Sequence, residues 1–382
     1  MRAVVLGAGR SGKAAEALLL REGWKVETLD GDMPWPGGGA PDLCVASPGI
    51  PPGHSWLSAA RACGMEVESE LQLGASRFRG KMLAVTGSKG KSSVVKLVAD
   101  ALTAAGRTAV PCGNYGTPLS EVAAREPQPE WAVVEVSSFQ METTDPARFR
   151  PEAAAILNLQ ADHLDRHGTI EVYHALKRRM LEGAARTVGP DAAWDGCLAG
   201  SYFDNDVLRT NGEIAAGLMS AAGLRRDEIA AAFAAFVPLA HRMQPVAEIG
   251  GVEYIDDSKA TSLAALAAGT AMAARGKKRV LLIAGGLAKG DDPNFVLSGL
   301  LSGVKKVYLI GRCAEQFFLA WRETVPCERC GTLDRAVAAA MVDARPGDVV
   351  LLSPGTASFD QFKSYGERGD AFAALARKEQ KR

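Results

Sequence analysis

Along nearly the whole chain, short runs of Val, Leu, Ile and Ala alternate with longer segments of helical apolar spacing, and many of the short runs end in glycine. Strands buried on both faces read as continuous apolar runs, and joining them in parallel requires a crossover helix. The alternation therefore predicts an α/β architecture of parallel sheets covered by helices. RAVVLGAGRSGKAAEALLLREGWKVETLD reads as strand, glycine turn, helix and strand, and DLCVASPGI as a further strand closed by a Pro-Gly turn. A second unit follows the polar stretch GASRFRG. It starts at KMLAVTGSKGKSS, runs through WAVVEVSS and AAAILNL, and closes with TIEVYHALKRRMLEGAA. Residues 186–212 hold Gly, Pro and Asp but little periodicity, so surface loops are expected there. Near FVPLAHRMQP the pattern resets, with a hairpin expected around EIGGVEY and strand and helix alternating to the end. The expected domains are residues 1–78, 79–237 and 238–382.

A chain of 382 residues that is 47% hydrophobic exceeds one ordinary core, in keeping with that division. Its 44 basic and 44 acidic residues cancel, and without a basic run there is no electrostatic footprint for nucleic acid or an anionic membrane surface. Small charged ligands are the expected partners. The apolar run at the N-terminus is too short for a signal peptide and no stretch reaches membrane-spanning length, so a cytoplasmic protein is expected. Seven scattered cysteines read as reduced thiols. Cys327 and Cys330 have C-x-x-C spacing but lack the second pair or histidines of a zinc site, so metal or redox use is the lesser reading.

Two glycine loops compete for a nucleotide. Gly7, Gly9 and Gly12 in GAGRSG fit G-x-G-x-x-G after a strand, and Asp30 ends the next strand where a dinucleotide site places its ribose acceptor. The same glycines would equally serve a tight turn and close helix–sheet packing. The second loop, TGSKGKSS, lacks the first glycine of G-x-x-x-x-G-K-[ST], since Val85 stands there. It keeps the parts that touch phosphate: a glycine-rich backbone, Lys91 as a point charge and the Ser92 hydroxyl for a Mg2+ shell.

Acidic partners are expected at neighbouring strand ends. Glu135 lies in the Val-rich VVEVSS, where a carboxylate is costly to bury unless paired or holding a metal. NLQADHLDRHG packs Asp162, His163, Asp165 and His167 together; His163, first out of the strand, is the candidate ligand, and His167 is expected on the loop surface. Lys177, alone on the following helix, reads by spacing as a solvated residue. In the last domain, HRMQP and YIDDSKATS supply His241, Arg242, Asp256, Asp257, Ser258, Lys259, Thr261 and Ser262, suited to a phosphorylated or carboxylated ligand. LLSPGTASFDQF is expected to open a helix whose N-terminus, near Ser358, meets an anion. Each of these hydroxyls and carboxylates also fits plain helix capping.

Assembled, these motifs resemble the Mur ligase family, whose nucleotide loop reads T-G-x-x-G-K-[ST] and is matched by TGSKGKS. GNYGTPL, EVSSFQME, DHLDRHG, HRMQ, DDSKATS and SPGTASFDQFKSYGERGDAF occur in the family's order. The SSFQ.E and SP..AS.DQFK segments are similar to the branch that adds D-glutamate. The resemblance implies three α/β domains: a Rossmann-like N-terminal domain, a P-loop NTPase-like central domain, here shortened, and a Rossmann-like C-terminal domain. It implies a peptidoglycan-precursor ligase in which ATP phosphorylates the carboxylate of UDP-N-acetylmuramoyl-L-alanine and the amine of D-glutamate attacks the acyl phosphate. A monomer whose domains close on its substrates is expected.

By match to the family's motifs, Gly87, Ser88, Lys89, Gly90, Lys91, Ser92 and Ser93 would hold the ATP phosphates and, through Ser92, one Mg2+. Glu135 and His163 would be metal ligands, and Lys177 would be the family's carbamylated lysine, binding a second Mg2+. Asn114 would contact the region of the acyl phosphate, and Ser137 the substrate. Arg242 and Asp257 would meet ATP from the last domain, while Lys259 and Thr261 line the cleft. Lys289, Ser358, Phe359 and Tyr365 would receive D-glutamate, with Tyr365 standing where relatives often carry Phe. The first loop would bind uridine diphosphate through Gly9, Arg10, Ser11, Asp30, Ser47, Pro48 and Gly49, so NAD is not implied. One departure follows Lys177: the chain is several tens of residues shorter there. Asn211 stands for one adenine-side asparagine, Ile214 for the other and Thr210 for a histidine, which leaves the phosphate side intact and the adenine side altered. Two other readings stay open on the residues: an NAD(P) oxidoreductase built on GAGRSG, and a non-catalytic relative that binds the sugar nucleotide.

Overall fold

A computed structural model describes residues 1–36, 40–160, 162–274, 277, 279–288, 290 and 292–380, with side chains at all of these but 165, 301, 379 and 380. Contact density divides the chain once, into Met1–Phe236 and Val237–Arg382.

The first unit holds two wholly parallel sheets. Strands β1 (Arg2–Leu6), β2 (Lys25–Leu29), β3 (Leu43–Ala46) and β4 (Val67–Ser69) lie in the order β2-β1-β3-β4. Strands β5 (Lys81–Thr86), β6 (Ala109–Gly113), β7 (Trp131–Glu135), β8 (Ala153–Ile156) and β9 (Thr187–Val188) lie in the order β6-β7-β5-β8-β9. The apolar runs are explained by burial on both faces: Leu83, Val85 and Val133 point into one core, Ala84, Ala132 and Val134 into another. That second core also takes Ala3, Val5 and Val45 from the first sheet, so the two sheets share it. Polar ties reinforce the seam. Ser69 Oγ lies 2.6 Å from Thr144 Oγ1, the Asp145 amide donates to Gln72 Oε1 at 2.8 Å, and the Ser120 amide donates to the buried Glu70 at 2.7 Å.

The stretch GASRFRG begins as the last turn of the helix Glu70–Arg77. A Cβ on Gly74 would lie 2.6 Å from the Ser120 amide nitrogen, so glycine lets this helix press against Leu119–Ala123. The expected division near residue 78 falls at the end of that helix, within the first unit.

Residues 186–212 correct an expectation. Instead of surface loops they form β9, a short helix Asp195–Leu198 and the start of the helix Arg209–Ala221, and Leu198 and Phe203 are fully buried in the core beside β5. Their apolar anchors sit singly on short turns, which leaves no period to read.

In the second unit, β10 (Gln244–Ile249), β11 (Val252–Asp256), β12 (Val280–Gly285), β13 (Val304–Ile310), β14 (Cys327–Gly331) and β15 (Val349–Leu352) form one sheet, ordered β10-β11-β15-β12-β13-β14. β10 and β11 are the expected hairpin, antiparallel about Gly250 and Gly251, both at positive φ; the other pairs are parallel. Cys327 and Cys330 belong to opposite faces of this sheet, one packed with Val325 and Phe317, the other with Tyr308 and Leu333. An odd spacing on a strand separates side chains in this way, so the pair forms neither a joint metal site nor a disulfide.

Candidate active site

The carboxyl ends of β7, β5 and β8 lie side by side, and such strand ends are where ligands meet open α/β sheets. From β5 the chain turns at Gly87 and enters the helix Lys91–Ala104 through Gly90, whose φ of +86° is left-handed. A Cβ on Gly90 would also lie 2.3 Å from Asn211 Nδ2, so only glycine fits on both counts. The loop is braced by Asn158, whose side chain accepts the Lys89 amide and donates to the Lys89 carbonyl, each at 2.9 Å, and reaches Asn211 Oδ1 at 3.5 Å. Ser88 Oγ donates to Gln160 O at 2.9 Å and lies 3.2 Å from Tyr173 Oη. Ser92 and Ser93 are buried at the head of the helix.

Two lysines share one acceptor. Lys91 Nζ donates to Gly87 O at 2.7 Å and to Ser88 O at 3.2 Å, while Lys177 Nζ donates to the same Gly87 O at 2.9 Å and lies 4.6 Å from the Tyr173 ring centre. Lys177 is 2% exposed, which overturns the solvated face expected from spacing. Helix Ile170–Glu182 turns it toward the loop together with Tyr173. Burial first, and the Lys91 charge second, bring its ammonium down from 10.5 to about 7, against the opposing pull of Asp162 and Glu135.

Glu135 is 2% exposed. Its Oε1 accepts the Asn114 side-chain amide at 2.6 Å, and the Asn114 backbone amide donates to the Glu135 carbonyl at 2.9 Å. Its Oε2 is buried without a partner among the described residues. An orphaned carboxylate oxygen beside a phosphate-type loop fits a hard cation. Among the described residues no three His, Cys, Asp or Glu side chains converge.

Past β8, His163 (φ +54°) starts the short helix Leu164–His167 with its side chain 49% exposed. Lys89 pairs with Asp162 at 3.2 Å; burial raises the Asp162 carboxyl, but Lys89 and His163 outweigh burial and hold it below the usual range. His167 is not on the loop surface. Its Nε2 lies 2.9 Å from Ser138 Oγ and its Nδ1 3.4 Å from Glu142, and burial lowers its pKa against the pull of Glu142. Ser137 caps the helix Ser138–Met141 in a capping box with Gln140. Asn211 faces the phosphate loop, whereas Ile214 is 1% exposed in the core behind it.

On the first sheet, a Cβ on Gly12 would lie 1.7 Å from Gly7 O, so that glycine serves close packing of helix on turn. Ser47 Oγ donates to Gly7 O at 3.1 Å, and the Ala8 amide lies 3.5 Å from Asp30 Oδ1. Gly9, Arg10, Asp30 and Gly49 are exposed along this rim, with Ser11 and Pro48 half-buried.

The second unit gathers its own cluster. Asp257 accepts Ser353 Oγ at 2.8 Å and the Met243 amide at 3.2 Å, and burial raises its carboxyl to about 7 against those two hydrogen bonds and the Arg242 charge. His241 Nδ1 lies 2.7 Å from Asp256 Oδ2. Lys259 Nζ sits 4.0 Å from the Tyr365 ring centre, and Thr261 follows on the same turn. Lys289 lies outside the described residues. The helix expected to open near Ser358 begins instead at Tyr365. Ala357 exchanges both backbone hydrogen bonds with Leu287, at 2.9 and 3.1 Å; the chain then makes one turn, the buried Ser358 accepting the Gln361 and Phe362 amides through its carbonyl at 3.1 and 2.9 Å, with Phe359 71% exposed on it. Arg368 was unmarked in the sequence. It is 1% exposed and donates to Ser258 Oγ and to the carbonyls of Ser258, Thr356 and Ala357, tying the two turns together. Asn158, Tyr173 and Glu142 were likewise missed, although Asn158 and Tyr173 lie within segments whose neighbours were singled out.

Two family descriptions match the chain: the Mur ligase middle domain over residues 85–188 and the Mur ligase glutamate ligase domain over residues 241–355. The UDP-N-acetylmuramoylalanine–D-glutamate ligase of Frankia casuarinae is 36% identical, covering 98% of this chain and 93% of that protein. The protein of the same name from Nitratidesulfovibrio vulgaris is also 36% identical, covering 97% and 95%. The Frankia alignment spans 446 positions against 382 residues here, so that relative carries segments this chain lacks. Among solved structures, the MurF ligase of Thermotoga maritima in complex with ADP matches at a TM-score of 0.62 and 14% identity, covering 89% of this chain and 95% of that one. The UDP-N-acetylmuramate-alanine ligase of the same organism matches at 0.60 and 13%, covering 100% and 99%, a likeness of fold.

Proposed function

This chain belongs to the Mur ligase family, and from that premise we propose that it joins D-glutamate to UDP-N-acetylmuramoyl-L-alanine at the expense of ATP, an amide ligation in peptidoglycan precursor synthesis. The observation that carries the site assignment is the meeting of Lys91, the Lys177 amine and the orphaned Glu135 Oε2 at one set of strand ends.

A carboxylate is a poor electrophile until one of its oxygens becomes a phosphate leaving group. In the proposed sequence the alanyl carboxylate takes the γ-phosphoryl group and releases ADP; the D-glutamate amine then adds to the acyl phosphate and phosphate leaves. Such chemistry rests on positioning and on cations that offset crowded negative charge. Lys91, held over the loop carbonyls, and the backbone amides of Gly90, Lys91 and Ser92 are assigned to the phosphates, those of Ser88 and Lys89 being taken by Asn158. Ser92 and Glu135 are assigned to Mg2+, with the exposed His163 as a further ligand; when bound, the ion supplies charge neutralisation and polarisation of phosphate oxygens. Asn114 orients Glu135 and is assigned to the acyl phosphate region.

Lys177 is assigned as a carbamylated lysine. Only a neutral amine attacks CO2, forming a C–N bond with loss of one proton, and an ammonium brought down to about 7 is substantially neutral at physiological pH. The resulting carboxylate would turn repulsion from Lys91 and Lys89 into attraction and add a metal ligand. The 1–78 rim is assigned to the uridine nucleotide, and Arg242, Asp257, Lys259, Thr261, Ser358, Phe359 and Tyr365 to ATP and D-glutamate. A cytoplasmic monomer is part of the same proposal. Among the described residues no helix is long and apolar enough to cross a membrane.

The test is phosphate release from ATP and Mg2+ with UDP-N-acetylmuramoyl-L-alanine, comparing D-glutamate with L-glutamate, L-lysine and no amino acid. Release that requires both the sugar nucleotide and D-glutamate is expected. Sugar-nucleotide binding without release under any amine would leave a non-catalytic relative.

A further inference from the structure

Arg166 joins three parts of the first unit through one guanidinium. It sits on the short helix that begins after His163, with its side chain 13% exposed. Its Nε and Nη2 donate to the two carboxylate oxygens of Glu142 at 3.1 and 2.5 Å. Nη2 also donates to Ile50 O at 2.9 Å, and Nη1 reaches Gly49 O at 3.5 Å. The face of the group lies 4.1 Å from the Phe139 ring centre. Glu142 and Phe139 belong to the segment leaving β7 beyond Glu135, while Gly49 and Ile50 belong to the turn leaving β3 in the other sheet. A planar fork occupied on its edges and stacked on its face has little freedom, a geometry that lysine cannot reproduce.

We propose that Arg166 is a positioning residue for the sugar nucleotide, setting the turn at Ser47–Gly49 in register with the strand ends that carry Glu135 and His163. The proposal rests on assigning that turn to the uridine nucleotide and those strand ends to the phosphates. A substrate bound to one sheet must present its carboxylate to a phosphate bound on the other, so a turn no longer held in place must be ordered at the expense of sugar-nucleotide binding, which raises KM for that substrate. Sharing an apolar core aligns two sheets coarsely; the carbonyls of Gly49 and Ile50 receive direct hydrogen bonds from the helix that begins at His163.

Steady-state kinetics on Arg166→Met, Arg166→Lys and the double variant Arg166→Met with Glu142→Gln test this. Arg166→Met is expected to raise KM for UDP-N-acetylmuramoyl-L-alanine about 10-fold or more while KM for ATP stays within about 2-fold, and Arg166→Lys to keep most of that defect. The double variant removes the buried Glu142 charge, which in the single one loses its guanidinium and keeps only His167 Nδ1 at 3.4 Å, so thermal stability should return toward wild type while the sugar-nucleotide KM stays raised. A purely structural role predicts the reverse: stability and KM recover together in the double variant, or all KM values move in parallel with stability. Either result, or an unchanged sugar-nucleotide KM in Arg166→Met, overturns the proposal. Wild-type turnover that requires sugar nucleotide and D-glutamate upholds the ligase reading whichever way Arg166 falls; its absence would remove both.

Discussion

Replacing Lys177 by methionine is expected to stabilise the chain while ending catalysis. In the fold this ammonium is 2% exposed and titrates at about 7, against 10.5 for an ordinary lysine. Between those values the unfolded chain holds a proton that the folded chain has released, so stability rises with pH through that window. Below about 7 both states are protonated and the folded chain carries the whole penalty; above the unfolded value there is none. At about 1.4 kcal/mol per pKa unit, the penalty is on the order of 4 kcal/mol at pH 7 and 3 kcal/mol at pH 8. The opposing loss is small. Methionine gives up the bond to Gly87 O, but that carbonyl keeps Lys91 at 2.7 Å, so about 1 kcal/mol is forfeited. The thioether remains against the Tyr173 ring.

A net gain of about 2 kcal/mol is therefore expected at pH 8, growing toward pH 7 and vanishing near pH 10. Urea unfolding in EDTA and CO2-free buffer, at constant m, measures it. Bicarbonate should narrow the gap by converting the wild-type amine to a carbamate. A variant that is less stable across the whole series, or a gain that does not change with pH, would refute the buried-ammonium account.

Gly90→Ala must place a Cβ at φ +86° and 2.3 Å from Asn211 Nδ2, so a loss of about 2 kcal/mol and a raised KM for ATP are expected. Denaturation and kinetics check it, and Asn211→Gly alongside should recover the part due to the clash. Asn114→Ala removes the donor that holds Glu135 Oε1; Mg2+ titration of activity should show an apparent affinity about 10- to 100-fold weaker, and the metal-free melting temperature should fall because the buried carboxylate loses its side-chain partner. Phe203→Ala should cost about 3–5 kcal/mol by chemical denaturation, because residues 186–212 are core; a change under about 1 kcal/mol would return them to the surface.

Local chemistry was readable without the fold. Glycines at Gly7, Gly87 and Gly90 announce turns because only glycine takes their φ freely, apolar runs announce strands covered on both faces, and TGSKGKSS marks the loop assigned to phosphate because the contacts proposed for it come from consecutive atoms. The family motifs extended this to residues that spacing leaves bland, Lys177 above all. What stayed hidden depends on neighbours far away in sequence. Lys177 is a surface lysine by pattern and a half-neutral amine in space, because Gly87, Tyr173 and Lys91 enclose it. His167 was misplaced for the same reason: its partners Ser138 and Glu142 come from the segment after another strand. The helix expected at Ser358 is a single turn, closed by the Gln361 and Phe362 amides on the Ser358 carbonyl, and the long helix starts only at Tyr365. By itself the sequence determined the strands and helices that carry a readable period, residues 186–212 excepted, and marked the glycine loop that is assigned to phosphate, since those follow from φ, periodicity and adjacent backbone groups. Burial, pKa and the ties between sheets were decided only in the tertiary structure, because desolvation and charge coupling depend on what surrounds an atom, and that is set by packing between segments distant along the chain.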